Sequence, residues 1–136
     1  MGTGEQLKGP SSKVLVVDDS MEDRACTIAA LVAAGIPRAN VLEATNGFEG
    51  LDQIAANREI RMVLTDVGMP HMNGLDFLKE LRDQAPEAQA WLLTREGTEP
   101  FLPQALELGV RGAIPFRPQQ GAMTASLVEW MSSTHS

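Results

Sequence analysis

Five short apolar runs, each followed by a stretch with helical spacing, limit what this chain can fold into more tightly than any other feature. The runs cover Lys13 to Val17, Asn40 to Ala44, Arg61 to Thr65, Ala90 to Leu93 and Gly112 to Phe116. A strand with one wet face alternates apolar and polar residues, because successive side chains point to opposite sides; a continuous run marks a strand covered on both faces. Between the runs, Ile28, Leu31 and Val32, then Leu75, Leu78 and Leu81, then Phe101, Ala105 and Leu108 recur at three- and four-residue steps and are expected to face the sheet. Met123, Leu127 and Met131 continue the pattern in a closing helix. Gly35, Gly47, Pro86 and Gly109 sit where these segments stop or start. Strand alternating with helix gives an α/β domain, a doubly wound five-stranded parallel sheet with helices on both faces.

With 136 residues, 43% of them hydrophobic, the chain has the length and apolar content for one core, and no internal repeat interrupts it. Lys and Arg number 11 against 18 Asp and Glu, a net charge of -7 that argues against a non-specific nucleic-acid surface or an anionic membrane as partner. Cys26, the one cysteine, has no partner for an internal disulfide. No segment reaches the roughly 18–20 apolar residues of a membrane span, so a reducing cytoplasm is the expected compartment. Residues 1–12 read as a flexible leader or a remnant of expression, 13–131 as the folded domain and 132–136 as a flexible tail.

In a doubly wound sheet, ligands bind outside the carboxyl ends of the strands, where the order of connections reverses. The first strand ends at Asp18 and Asp19, the third at Asp66 and the fourth at Thr94, which brings three carboxylates and a hydroxyl towards one edge. Buried carboxylates are costly to ionise and repel one another, so such a cluster makes physical sense around a small hard cation such as Mg²⁺. Each residue also has a plainer reading: Asp18 or Ser20 as a helix N-cap, Asp66 as a turn residue, Thr94 as an ordinary strand end.

Val14-Leu-Val-Val-Asp18-Asp19-Ser20, Val63-Leu-Thr-Asp66-Val-Gly-Met69-Pro70, Asn73-Gly74 and Trp91-Leu-Leu-Thr94 fall in order at successive strand ends. In that combination the chain, from about Lys13 to Trp130, resembles the response-regulator receiver domains of two-component signalling, in the stand-alone form of chemotaxis regulators. The resemblance implies a flavodoxin-like sheet of order 2-1-3-4-5, with Asp66 taking a phosphoryl group from a phosphohistidine of a histidine kinase or histidine phosphotransfer protein. It implies Mg²⁺ held by Asp19 and Asp66, by Asp18 through water, and by the backbone carbonyl of Gly68. Thr94 would donate its hydroxyl to the phosphoryl group and so alter the face made by the fourth helix, fifth strand and fifth helix. That face is the expected output and homodimer surface. Because the chain ends at Ser136, output is expected through contacts with a downstream protein target, unless the chain is a fragment. Such a protein is a switch rather than an enzyme acting on another substrate. Met69-Pro70 and Asn73-Gly74 read as turn chemistry, His71 as a solvated loop residue rather than a phosphoryl carrier, Cys26 as a small helix residue, and Trp91 and Trp130 as packing.

The departures from the family cluster at the fifth strand. Receivers usually read Gly-Ala-x-x-aromatic-x-x-Lys-Pro there, whereas this chain reads Gly109-Val-Arg-Gly-Ala113-Ile114-Pro115-Phe116-Arg117-Pro118, one residue longer and without lysine. Counting back from Pro118 puts Arg117 at the lysine position and Ile114 at the aromatic; counting forward from Gly109 gives Phe116 and Ala113. Lys8, Lys13 and Lys79 are the only lysines, and none is placed to substitute. Arg117 is a possible replacement, brought into register if Pro115 and the extra residue form a bulge in an edge strand. Arg95 stands where receivers carry a small residue; it is expected to lie across the surface towards Glu96 or Glu99 rather than obstruct the acceptor, and is a second candidate for the missing charge. Gly68 leaves the entrance open to water. Two further classes stay open: a phosphorylation-independent protein-binding module that keeps the fold, and a phosphohydrolase with an Asp nucleophile, though Asp18-Asp19-Ser20 lacks the Asp-x-Asp spacing the latter needs. No Gly-rich phosphate loop follows the first strand to support nucleotide binding.

Overall fold

The computed structural model describes residues 12–68, 72–95 and 99–133. They form β1 (Lys13–Val17), α1 (Met21–Ala33), β2 (Val41–Ala44), α2 (Gly47–Ala56), β3 (Ile60–Thr65), α3 (Gly74–Gln84), β4 (Gln89–Thr94), α4 (Leu102–Glu107), β5 (Gly112–Pro115) and α5 (Gln120–Ser133). Every strand pairing is parallel, and the sheet order is β2-β1-β3-β4-β5. The chain steps from β1 outward to β2 and then back past β1 to β3, so the crevice at the sheet's carboxyl edge opens between β1 and β3.

The continuous apolar runs are explained by two cores, one on each face. Val14 and Val16 of β1, Met62 and Leu64 of β3, and Trp91 and Leu93 of β4 pack with Ile28 and Leu31 of α1 and Met123 and Leu127 of α5. The intervening residues, Leu15, Val17, Val63 and Leu92, pack on the other side with Ile54 of α2, Phe77, Leu78 and Leu81 of α3, and Ala105 of α4. A period of two puts neighbours on opposite faces, and here both faces are dry.

Several sequence expectations shift in detail. Asn40 ends a 3-10 turn, Arg38–Asn40, instead of opening β2, and its amide donates to the Ser12 carbonyl at 2.9 Å. Val32 is exposed, because the buried face of α1 is centred between Thr27 and Leu31 with Ile28 at its margin, and Val32 lies about 40° beyond Ile28. Phe101 is exposed too: it lies in the 3-10 turn Glu99–Phe101, before α4 begins, so the four-residue step to Ala105 does not run along one helix. Trp91 is buried, while the side chains of Trp130 and Met131 lie outside the described residues, as do Met69, Pro70 and His71.

β5 is an edge strand, as Pro115 requires. Arg111 N donates to the Ala90 carbonyl at 2.7 Å, and the two-residue period of a parallel ladder would make residue 115 the donor to Thr94. Proline has no N–H, and the next residue takes over: Phe116 N reaches the Thr94 carbonyl at 2.9 Å. The donor pattern thus steps forward by one residue at Pro115, while the Cα register runs unshifted from Trp91 and Gly112 to Thr94 and Pro115.

Candidate functional site

Two backbone hydrogen bonds carry the ladder one residue past the strands and set the acids side by side. Asp18 N donates to the Ala44 carbonyl at 3.0 Å, and Asp66 N to the Val17 carbonyl at 3.1 Å. The Asp18 carbonyl is gripped by Arg24 Nη1 at 2.8 Å, and Arg24 Nε is held in turn by Glu43 of β2 at 2.8 Å. Capping of α1 falls to Ser20, whose Oγ accepts from Asp23 N at 3.2 Å. Asp18 stands behind it, accepting from Ser20 N at 3.0 Å through Oδ1. Its Oδ2 is left to meet Asp19 and Asp66 in the crevice.

Asp18 is fully buried and Asp66 nearly so, while Asp19 is exposed; one carboxylate oxygen from each lies within 4.8 Å of the other two. Asp66 Oδ1 accepts from Val67 N at 2.7 Å and, at the long distance of 3.4 Å, from Gly68 N. Among the described residues no hydrogen bond or ion pair ends on Asp66 Oδ2. Thr94 is half-buried at the end of β4, one residue past the level of Asp66 by the pairing of Thr65 with Leu92. Gly68 is exposed, and a Cβ built on it would meet nothing within 4 Å, so the approach to the acceptor is open on that side. Gly74 closes the other side: its N–H donates to the Val67 carbonyl at 3.0 Å, and a Cβ there would stand 2.7 Å from Val67 Cα and 2.8 Å from the Asp66 carbonyl oxygen. Asn73 caps α3 through its side chain, accepting from Asp76 N at 2.9 Å.

The largest correction concerns the cations. The Arg95 guanidinium is in the acid cluster, beside the acceptor, while Glu96 and the Glu99 side chain, towards which it was expected to lie, are outside the described residues. Its Nη2 bridges Asp18 Oδ2 at 2.8 Å and Asp23 Oδ2 at 3.0 Å, and its Nη1 stands 3.1 Å from Asp66 Oδ1. The Phe116 ring lies beneath it, 4.5 Å from Cζ to centroid, a cation–π contact. Three carboxylates drawn together without a lysine need a counter-charge, and Arg95 supplies one from the end of β4. Arg117, by contrast, is exposed; its backbone N donates to Met123 Sδ and its carbonyl accepts from Cys26 Sγ, and no contact brings its side chain to the acids among the described residues. The step at Pro115 delivers Phe116, not Arg117, to the site.

Burial pushes the Asp18 carboxyl above its ordinary pKa, the Ser20 N–H and the Arg95 guanidinium pull it back, and the Asp66 charge adds to the rise. Burial also works against the charged form of Arg95, but the Asp18 hydrogen bond and the charges of Asp66, Asp18 and Asp23 outweigh it and raise the pKa. Cys26 is half-buried with its thiol pushed up by burial first and the Asp23 charge second, which suits a packing residue and not a thiolate.

The oxygens suit a hard cation: one from each of Asp18, Asp19 and Asp66 lies within 4.8 Å of the other two, and an all-oxygen carboxylate set is what Mg²⁺ takes, so these residues could hold one. The profile of the response regulator receiver domain matches residues 14–126. The chain belongs to that family. The chemotaxis protein CheY1 of Helicobacter pylori is 38% identical to this receiver over 111 residues, which cover 79% of this chain and 88% of that one. Among solved structures, the chemotaxis response regulator CheY4 of Vibrio cholerae is 30% identical with a TM-score of 0.69, covering 86% of this chain and 98% of that one. The receiver domain of NtrX from Brucella abortus, 22% identical with a TM-score of 0.75, covers 90% of this chain and 99% of that one and speaks for the fold alone. The receiver is thus a CheY-like member of two-component signalling, the class of phosphoryl-accepting switches. Asp23 was missed from sequence as a partner in the receiver's site, and Phe116 was placed there only by the count forward from Gly109. Asp23 looks like an ordinary first-turn acid of a capped helix, and Phe116 becomes a platform only through the step at Pro115.

Proposed function

We propose that this receiver accepts a phosphoryl group on Asp66 from a phosphohistidine of a histidine kinase or histidine phosphotransfer protein. Asp66 Oδ2 attacks phosphorus, the P–N bond to the imidazole breaks, and the departing ring nitrogen keeps the electron pair and takes up a proton. The observation that carries this reading is the state of the Asp66 carboxylate. Oδ1 is fixed by Val67 N–H and Arg95, and Oδ2 is left without a partner among the described residues at the mouth of the β1–β3 crevice.

Asp18, Asp19, Asp66 and the Gly68 carbonyl would hold Mg²⁺. When bound, the ion supplies neutralisation of the charge that gathers on the phosphoryl oxygens. Thr94 donates its hydroxyl to the phosphoryl group, and Arg95 takes the part expected of Arg117, standing beside the acceptor as the cation that orients its new oxygens. Signalling runs through protein contacts in the cytoplasm, as in two-component signalling by CheY-like receivers. Leu106 of α4 and Val128 of α5 are exposed, as is Phe101 in the turn before α4, apolar side chains available to a downstream protein or a second copy of the chain.

The guanidinium between Asp18 and Asp66 also favours a second reading, a receiver whose acids are permanently neutralised and which binds partners without phosphorylation. Intact-protein mass after incubation with Mg²⁺ and phosphoramidate, a small phosphoryl donor, separates the two. One phosphoryl group gained by the parent and none by Asp66→Asn supports the first reading. An unchanged parent mass, with amide spectra unmoved by beryllofluoride, supports the second.

A further inference from the structure

Arg95 fills the gap that a bound divalent ion would bridge. Both oxygens of the buried Asp18 are already taken, Oδ1 by Ser20 N–H and Oδ2 by Arg95 Nη2, and Asp66 Oδ1 is shared between Val67 N–H and Arg95 Nη1. A cation drawing on Asp18 Oδ2 therefore meets the guanidinium in its place. The side chain has a way out, being 24% exposed, and a second resting place, the face of Phe116 at the end of the edge strand. The lysines offer no substitute among the described residues: Lys13 is paired with Glu59 at 2.9 Å at the far end of β1, and Lys79 is on the exposed side of α3.

We infer that Arg95 is a displaceable internal cation. It occupies the acid cluster at rest and yields Asp18 and Asp23 when a divalent ion enters, pivoting on Phe116 to remain beside Asp66. The inference rests on the receiver reading and deepens it, because it makes Arg95 the positioning residue that sets how readily the site takes its metal. Two consequences follow from its contacts. Metal affinity is lower than the carboxylates alone would give, since a like charge must leave first. Entry of the ion is also felt at the first turn of α1, where Asp23 loses its partner, and at the end of β5, where Phe116 carries the moved guanidinium. A long cation here thus couples three chain segments that a small residue after Thr94 would leave separate.

The experiment is a Mg²⁺ titration of the full chain and of Arg95→Gln, read by amide spectra, by the Nε–Hε signal of Arg95 and by the Phe116 ring signals. The expected result is that Arg95 Nε–Hε and the Phe116 ring shift with the same midpoint as the Asp18 and Asp66 amides. Arg95→Gln should bind Mg²⁺ about tenfold more tightly or better, the equivalent of removing one like charge from the site. Equal affinity in the two proteins with an unmoved Arg95 signal overturns the inference and leaves the receiver reading standing. Absence of Mg²⁺ binding in both overturns the inference together with the metal part of that reading, while phosphoramidate labelling of Asp66 separately reports whether the acceptor survives. Should Arg95→Gln not fold, the Arg95 and Phe116 signals of the parent decide alone: movement at the binding midpoint supports displacement, and none refutes it.

Discussion

Asp18 gathers opposing demands onto one carboxyl group. It has no solvent contact, accepts from Ser20 N–H and from Arg95, and faces the charge of Asp66, with burial the largest influence and its pKa raised as a result. A carboxyl whose pKa is higher in the fold than in the unfolded chain contributes most below the unfolded value, and that contribution is lost as pH rises through the folded one. Asp18→Asn escapes the loss. In metal-free buffer the variant is expected to be more stable than the parent at neutral pH by on the order of 0.5–2 kcal/mol, the gap closing as pH falls through the carboxylate range. Denaturant melts at a series of pH values measure it, and a variant less stable at neutral pH would show that the Arg95 pair outweighs burial. Gly74 makes the opposite kind of demand, on space. A methyl there would press on Val67 Cα and the Asp66 carbonyl oxygen, both backbone. Gly74→Ala is expected to cost about 1–3 kcal/mol by overpacking and to slow phosphorylation by displacing the acceptor; paired denaturation and labelling rates check both.

The elements of this fold were mostly legible as sequence, and the exceptions have physical causes. β1 runs from Lys13 to Val17, as its apolar run shows, because a strand dry on both faces leaves little freedom in its limits. Asp18, Asp19, Asp66 and Thr94 were readable as strand-end residues for the same reason: once the strands are placed, parallel pairing carries their ends to one edge. The direction of a long side chain is another matter. Arg95 follows β4 directly, but its path into the crevice is decided by Asp18, Asp23 and Asp66, which come from elements distant in the chain. Counting residues also cannot show that Pro115 passes its hydrogen bond to Phe116, which puts Phe116 and not Arg117 against the Arg95 guanidinium. That substitution is testable at the end of β5. Phe116→Leu keeps the backbone bond and removes the ring under Arg95, so it is expected to lose about 0.5–1 kcal/mol of cation–π stabilisation and to broaden the Arg95 Nε–Hε signal.

Taken as one unit, the domain balances two cores against an acidic edge whose carboxylates Asp18, Asp23 and Asp66 meet at Arg95. Filling that edge with metal stabilises the folded state alone, because the unfolded chain has no assembled site. Mg²⁺ at a hundred times its Kd is expected to add about 2.7 kcal/mol to the unfolding free energy, a rise in Tm that vanishes when Asp19 and Asp66 are both changed to Asn. Thermal melts across a Mg²⁺ series read this, and a Tm indifferent to the ion would leave the acids paired only with Arg95. The function proposed here turns on which carboxylate carries the phosphoryl group. Borohydride reduces an aspartyl phosphate to homoserine, so reduction of the labelled protein followed by peptide sequencing by mass spectrometry marks the acceptor permanently. Homoserine at position 66 and nowhere else is the expected result. Homoserine at 18 or 19, or a phosphoryl group retained on His71, would contradict it.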